Sequence, residues 1–463
     1  MQVSLKSSSN NMNRTFWRYA IPSIAAMLVN GVYQVVDGIF IGHYIGQQGL
    51  ASVSMVWPII YVIAGLGLMI GMGAGSLLSM TRGQSEKEGM PVSQKSIVDI
   101  LCSSSLLMVV MGFFVALTLM LWGRDFLKLQ GGEGEVLLIA EQYLSLFIGG
   151  GFITILASAM PIFIRNNDAP TLATTLLIIG ALLNIILDYL FIVQFDLGLK
   201  GAAIATLSAQ FSVCIGGIFY FLSKQSNIHF KRDYITFNFS LVKKIVLLGA
   251  SSLVMYLYVS FVFALHNRLF MQYGTTVNLG AFAIVGYLMV LYYLVAEGLA
   301  EGMQPLVSFF HGASQPQKIK AVVILSIKAT IITGLVWIAI LNIFPHTMIG
   351  MFNDFDEQLI QEATLGIRLH LFAMFLDGIV VLASMYFMAV GLGGRSLWIA
   401  IGNLLTQLPL LYFLPKWFGI TGIWLVLPLS TIIMFIVVVP MLWRHCFALS
   451  KVGPKKKLIL QSN

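Results

Sequence analysis

The sequence predicts an all-α membrane protein whose twelve transmembrane helices form two six-helix bundles, related by a pseudo-two-fold axis along the membrane normal. Three observations carry this reading. Hydrophobic residues make up 58% of the 463 positions and charged ones only 10%, with a mean hydropathy of +0.89, a balance that soluble globular chains do not reach. Apolar stretches recur along the whole chain, each near or above the ~20 residues a helix needs to cross a hydrocarbon core. The two halves also echo one another.

The first six spans are expected at about 16–41, 50–80, 97–122, 136–163, 169–193 and 201–223, and the second six at about 241–270, 278–310, 319–345, 360–390, 396–415 and 419–447. The chain thus reads as an N-terminal arm (1–15), a six-helix bundle (16–223), a polar linker (224–240), a second bundle (241–447) and a basic tail (448–463). The first apolar run is too long for a signal-peptide core and no small-x-small cleavage site follows it, so it is expected to stay as the first helix. Cys102, Cys214 and Cys446 lie inside predicted spans and are odd in number, which argues for packing rather than a disulfide framework.

Lysine and arginine sort to one side. Lys6, Arg14, Arg18, Arg82, Lys87, Lys95, Arg165, Lys224, Lys231, Arg232, Lys243, Lys244, Lys318, Lys320, Arg395, Arg444 and the tail KVGPKKK fall on one set of loops, against Arg124, Lys128, Lys200 and Lys416 on the other, with Arg268 near a helix end there. This bias is expected to place both termini of a multi-pass membrane protein in the cytoplasm. It also accounts for the net charge of +8 without a nucleic-acid partner.

Sliding the chain on itself by 229 positions aligns the second span with the eighth: Gly73 meets Gly302, Leu77 meets Leu306, Ser79 meets Ser308 and Gly83 meets Gly312. GLKG at Gly198 to Gly201 and GITG at Gly419 to Gly422 form a second echo, each just before the sixth helix of its half. Six spans per repeat leave both halves in the same membrane orientation, which gives the axis its direction. Two such bundles about a central cleft suit alternating access.

Asp37, Asp188, Glu297, Glu301 and Asp377 fall well inside predicted spans. A charged side chain at mid-membrane costs about 2.5–3.5 kcal/mol on insertion scales, so each must be protonated, paired or facing water. On the first helix Ser23, Asn30, Gln34 and Asp37 form one polar stripe behind Pro22, a proline at which the helix can bend. Asn30 and Gln34 are candidates for substrate contact or for hydrogen bonds between helices. Asn184 and Asp188 are an i,i+4 pair on the fifth helix, and Thr206 and Gln210 repeat that spacing on the sixth. A carboxylate pair, an amide and a hydroxyl converging with Asp37 would suit a proton or a hard cation such as Na⁺.

The eighth helix carries Tyr293, Glu297, Glu301, Gln304 and Ser308 on one face, and the tenth carries His370, Asp377 and Ser384 at intervals of seven. Glu297, Glu301 and Asp377 are candidates for a cationic substrate or a second protonation site. No histidine stands at ligand spacing from the paired acids, so no zinc site is expected, and no nucleophile–base set suggests an intramembrane enzyme. Gly67, Gly71 and Gly75 have GxxxGxxxG spacing, which serves close helix packing.

The stretches YQVVDGIFIGHYIGQQGLA, IRNNDAP, LNIILDYLFI, GLKGAAIAT, GMQPLVSFFHGA and MYFMAVG, in this order, resemble the multidrug and toxic compound extrusion (MATE) family, in its MepA-type and DinF-type branch. The resemblance spans nearly the whole chain. It implies a twelve-helix exporter, functional as a monomer, that exchanges organic and mostly cationic drugs for H⁺ or Na⁺ and needs no cofactor beyond that coupling ion. It further implies that Asp37, Asn184, Asp188 and Thr206 are the coupling positions and that Pro22 is the bending proline. The acid that another branch carries on the seventh helix is missing from SSLVMYLYVSFVFAL. A flippase for lipid-linked saccharides, the alternative for such an architecture, would favour arginines where this chain has acids.

Overall fold

A computed structural model describes residues 12–130, 133–226, 228, 238–352 and 357–451. Most of the arm, the linker and the tail, including Lys231, Arg232, Lys455, Lys456 and Lys457, lies outside the described residues. Among the described residues every regular element is helical. In order they are α1 (Met12–Phe40), α2 (Gln47–Glu88), α3 (Gln94–Leu129), α4 (Gly134–Asn166), α5 (Pro170–Asp188), α6 (Gly198–Leu222), α7 (Phe239–Tyr273), α8 (Thr276–Gly312), α9 (Pro316–Ile343), the short α10 (Pro345–Gly350), α11 (Glu357–His370), α12 (Met374–Ala389) and α13 (Gly393–Lys451). α1 and α5 each run on into a π-helical turn, Ile41–Ile45 and Tyr189–Gln194.

Among the described residues ten helical segments are long and apolar enough to cross a membrane, and α11 with α12 makes a further, bent span. α13 holds two, because Gly419 interrupts it with φ 56° and ψ −133°. These are the twelve predicted spans. The tenth differs from expectation: it bends by 49° at residues 371–373, so His370 ends one helix while Asp377 and Ser384 sit on the next, and the interval of seven does not describe one continuous stripe. The break follows from anchoring, since His370 Nδ1 donates to the Trp424 carbonyl at 2.9 Å and ties the end of α11 to α13.

The chain divides into two compact units, residues 25–257 and the described residues up to Ile24 with those from Tyr258 onward. α1 and α7 therefore each contribute one segment to either unit. In the first unit α4 packs against α2, α3, α5 and α6. The GxxxGxxxG face makes this possible: a Cβ on Gly71 would lie 2.9 Å from the Cα of Ala159, and one on Gly75 2.7 Å from Asn166 Nδ2. The other face of α2 meets α7 just as closely, with Gly73 against the Ile245 backbone and Gly249 against that of Met69. In the second unit Gly298 and Gly302 of α8 bring α1 equally near, a Cβ on either falling 2.6 Å from the Cα of Ile24 or Ala20. With lipid outside, such seams are held by van der Waals contact between backbones rather than by expulsion of water.

The repeat is visible in the hydrogen bonds. Ser79 Oγ donates to Asn166 Oδ1 at 2.7 Å and lies 3.3 Å from the Asn166 carbonyl oxygen, and its counterpart Ser308 donates to the Ala389 carbonyl at 2.9 Å. α4 and α12 then end alike, with Ala169 N bonded to Ile164 O at 3.2 Å and Leu392 N to Phe387 O at 2.8 Å. This closure needs a left-handed residue, supplied by Asp168 (φ 68°) in one unit and Gly391 (φ 83°) in the other. The glycines that open GLKG and GITG are likewise both left-handed, Gly198 at φ 55° and Gly419 at φ 56°.

Candidate cation or proton site

Two helices in the first unit end the same way. Asp37 lies one turn before the π turn of α1, and Asp188 immediately precedes that of α5. The two π turns pack against one another and against α6. π turns inside α-helices concentrate at functional positions; here they draw the ends of α1 and α5 together. Asp37 and Asp188 consequently lie within electrostatic reach of each other, and both act on the phenols of half-buried Tyr33, one turn before Asp37, and of buried Tyr143 on α4.

Asp37 is 7% exposed and Asp188 fully buried. Asn184, one turn before Asp188, donates from Nδ2 to Thr206 Oγ1 at 3.5 Å, so the fifth-helix pair and the sixth-helix hydroxyl are joined. Asp37 Oδ1, both carboxyl oxygens of Asp188 and Asn184 Oδ1 are buried without a hydrogen-bond partner among the described residues. Buried oxygens are almost always satisfied, and an ionised buried carboxylate without a partner is strongly disfavoured. Four such oxygens together suit a bound proton or a hard cation with oxygen ligands. Among the described residues no group of three or more His, Cys, Asp or Glu is placed to hold a metal ion.

The other predicted residues are placed as follows. Asn30 and Gln34 are half-buried on α1, while Gln210 accepts from Thr154 at 2.7 Å and belongs to the α4–α6 packing. Pro22 is held within a helix that stays continuous, two positions before Ile24, where that segment's unit ends. Ser23 belongs to that unit, so the stripe it was expected to share with Asp37 spans both units.

In the second unit Tyr293 donates to Asp377 Oδ2. Tyr258, Tyr292 and Tyr293 all feel the Asp377 carboxyl, and Tyr258 is itself bonded to Gln407. The eighth-helix stripe therefore divides. Tyr293 serves Asp377, Gln304 donates to Ser308 at 3.2 Å in the repeated closure, and Glu297 and Glu301 flank the glycines facing α1, Glu301 buried and Glu297 half-buried. Tyr293→Phe is expected to cost about 1–3 kcal/mol by removing a donor from a buried carboxyl. Thermal unfolding in detergent reads this directly, with Tyr287→Phe at an exposed position as the unchanged control.

Tyr33, Tyr143, Tyr258 and Gln407 were not singled out by sequence reasoning. Tyr33 was within reach, since it stands four residues before Asp37; Tyr143 and Gln407 sit on helices whose neighbours only the fold reveals.

A family model described as MatE matches residues 22–190 and 251–413. The multidrug export protein MepA of Staphylococcus saprophyticus is 26% identical over 421 residues, covering 89% of this chain and 90% of the relative. That of Staphylococcus aureus is 25% identical over 419 residues, with 89% of each covered. Among solved structures, an outward-facing multidrug resistance MATE family transporter superposes with a TM-score of 0.87 at 21% identity, over 95% of this chain and 97% of that one. With the family model matched across both repeats, the chain belongs to the MATE family of transporters.

Proposed function

We propose that the protein is a secondary active multidrug efflux transporter of the bacterial plasma membrane, exchanging organic, mostly cationic compounds for H⁺ or Na⁺ by alternating access. The observation that carries this reading is the set of buried, unpartnered oxygens on Asp37, Asp188 and Asn184. A polar group retained at such cost inside a membrane is a functional candidate by default. The named exporters of Staphylococcus, alike over nearly their full length, support the substrate class.

The coupling follows from competition. Asp37 and Asp188 hold one positive charge, as a proton or a small cation, when open to one side, and release it when open to the other. An organic cation uses the same negative charge, and the half-buried ring of Tyr33 offers it an aromatic face. Each ligand shifts the population toward the arrangement it binds better. Thr206 and Asn184 fix the geometry of the fifth helix against the sixth, and Pro22 gives α1 a place to bend.

The test is accumulation of a fluorescent organic cation in proteoliposomes, with a pH gradient and a Na⁺ gradient imposed separately. Uphill accumulation under one of the two is expected. Flux that only ever equalises concentrations would mean a channel and would sink the proposal.

A further inference from the structure

In the second unit, α8 runs into α9 and α12 into α13 at the same end, and the last described turns of α13 return there. This end gathers His311, Lys318, Lys320, Arg395, Arg444 and His445. Tyr386 Oη and His445 Nδ1 are hydrogen-bonded at 2.9 Å. His445 lies in the field of both Arg395 and His311, Tyr386 in that of Arg395, and Cys446 in that of Lys320. Arg395 sits over the Phe387 ring at 5.7 Å and Lys318 over Phe310 at 5.4 Å. No aspartate or glutamate occurs between positions 302 and 352 or between 378 and 451.

The repeat shows what is missing. In the first unit Arg82 pairs with Asp168 at 3.8 Å and donates to the Asn166 carbonyl at 2.9 Å. Shifted by 229, Arg82 becomes His311; in the closure that follows α12, Asp168 becomes Gly391. The backbone of the clasp is kept and the acid is gone. A sidedness bias explains why basic residues lie at this end. It does not explain why Arg395, over the Phe387 ring, is brought to the same aromatic pair that His445 packs against and bonds to, with Arg444 the adjacent residue on α13.

We propose that this cluster binds the phosphate of an anionic phospholipid headgroup. The choice of a lipid over a free anion rests on α13, where Ile433, Ile436, Val437 and Trp443 form an exposed row that ends at exposed Arg444. Apolar side chains, then an interfacial aromatic, then cations reproduce the order of acyl chain, glycerol and phosphate.

The experiment is native mass spectrometry of the full chain after exposure to equal amounts of phosphatidylglycerol and phosphatidylcholine. The protein is expected to retain phosphatidylglycerol preferentially. Arg395→Gln and Arg444→Gln, both at exposed positions, are each expected to lower that retention about fivefold, the worth of one basic residue near an anionic surface. Lys416→Gln, beside the break in α13, is expected to leave it unchanged. Equal retention in all three variants overturns the proposal, as does an equal loss in Lys416→Gln. Binding of inorganic phosphate that displaces phosphatidylglycerol at matched concentration overturns the lipid assignment.

Discussion

Asp37→Asn is expected to bring ion-driven accumulation of an organic cation in proteoliposomes down to the equilibrium ratio, while the protein still folds and inserts. The amide has the size of the carboxyl and adds donors where Asp188 and Asn184 present unpartnered oxygens, so stability should hold or rise. What it lacks is the charge that a proton or Na⁺ can neutralise. For one-for-one exchange with H⁺, a pH difference of one unit supplies about 1.4 kcal/mol, a tenfold gradient of substrate. The substitution is expected to abolish that tenfold ratio. Thermal unfolding of the same preparation separates lost coupling from lost fold. Undiminished gradient-driven accumulation would remove Asp37 from the mechanism.

Gly249→Ala is expected to have the largest effect on folding. A Cβ at this position would run into the Met69 carbonyl oxygen and lie 2.7 Å from its carbonyl carbon. Both are backbone atoms in the middle of helices and neither can swing aside. Overpacking a well-filled interior costs about 1–3 kcal/mol and sometimes more, and the reciprocal contact of Gly73 with Ile245 leaves α2 no direction in which to yield. The yield of monodisperse protein and its unfolding temperature should both fall. Gly149→Ala is the matched control, because nothing lies within 4 Å of a Cβ there; it should be neutral or slightly stabilising, as alanine is the better helix former.

Much of the architecture was legible because a bilayer leaves the sequence few choices. Span length and the spacing of Gly67, Gly71 and Gly75 translate almost directly into helices and a seam. The repeat was legible too, from identities such as Ser79 with Ser308, which bond to Asn166 and Ala389 at corresponding ends of α4 and α12. The bend at residues 371–373 was not, because its cause is a bond from His370 to a backbone carbonyl on a distant helix. At the candidate site the types and spacing of Asn184, Asp188 and Thr206 were readable from their i,i+4 intervals. Their approach to Asp37 was not, since it depends on two π turns, and nothing in the composition of IGHYI or YLFIVQ distinguishes them from ordinary helix. Tyr143 was hidden for the same reason: periodicity assigns a residue to a face but does not name the helix opposite.

The division of α1 and α7 between the two units has a consequence for synthesis. Ala20 and Ile24 find their close partners, Gly302 and Gly298, only after α8 has emerged, and α2 must wait for Ile245 and Gly249. The first unit is thus incomplete when its own six spans have left the ribosome, and the opening turns of the chain are among the last to be packed. A fragment stopped in the polar linker would expose the Gly65 and Gly73 face of α2 to lipid, and joining the two halves from separate transcripts would work only if the cut left α7 whole.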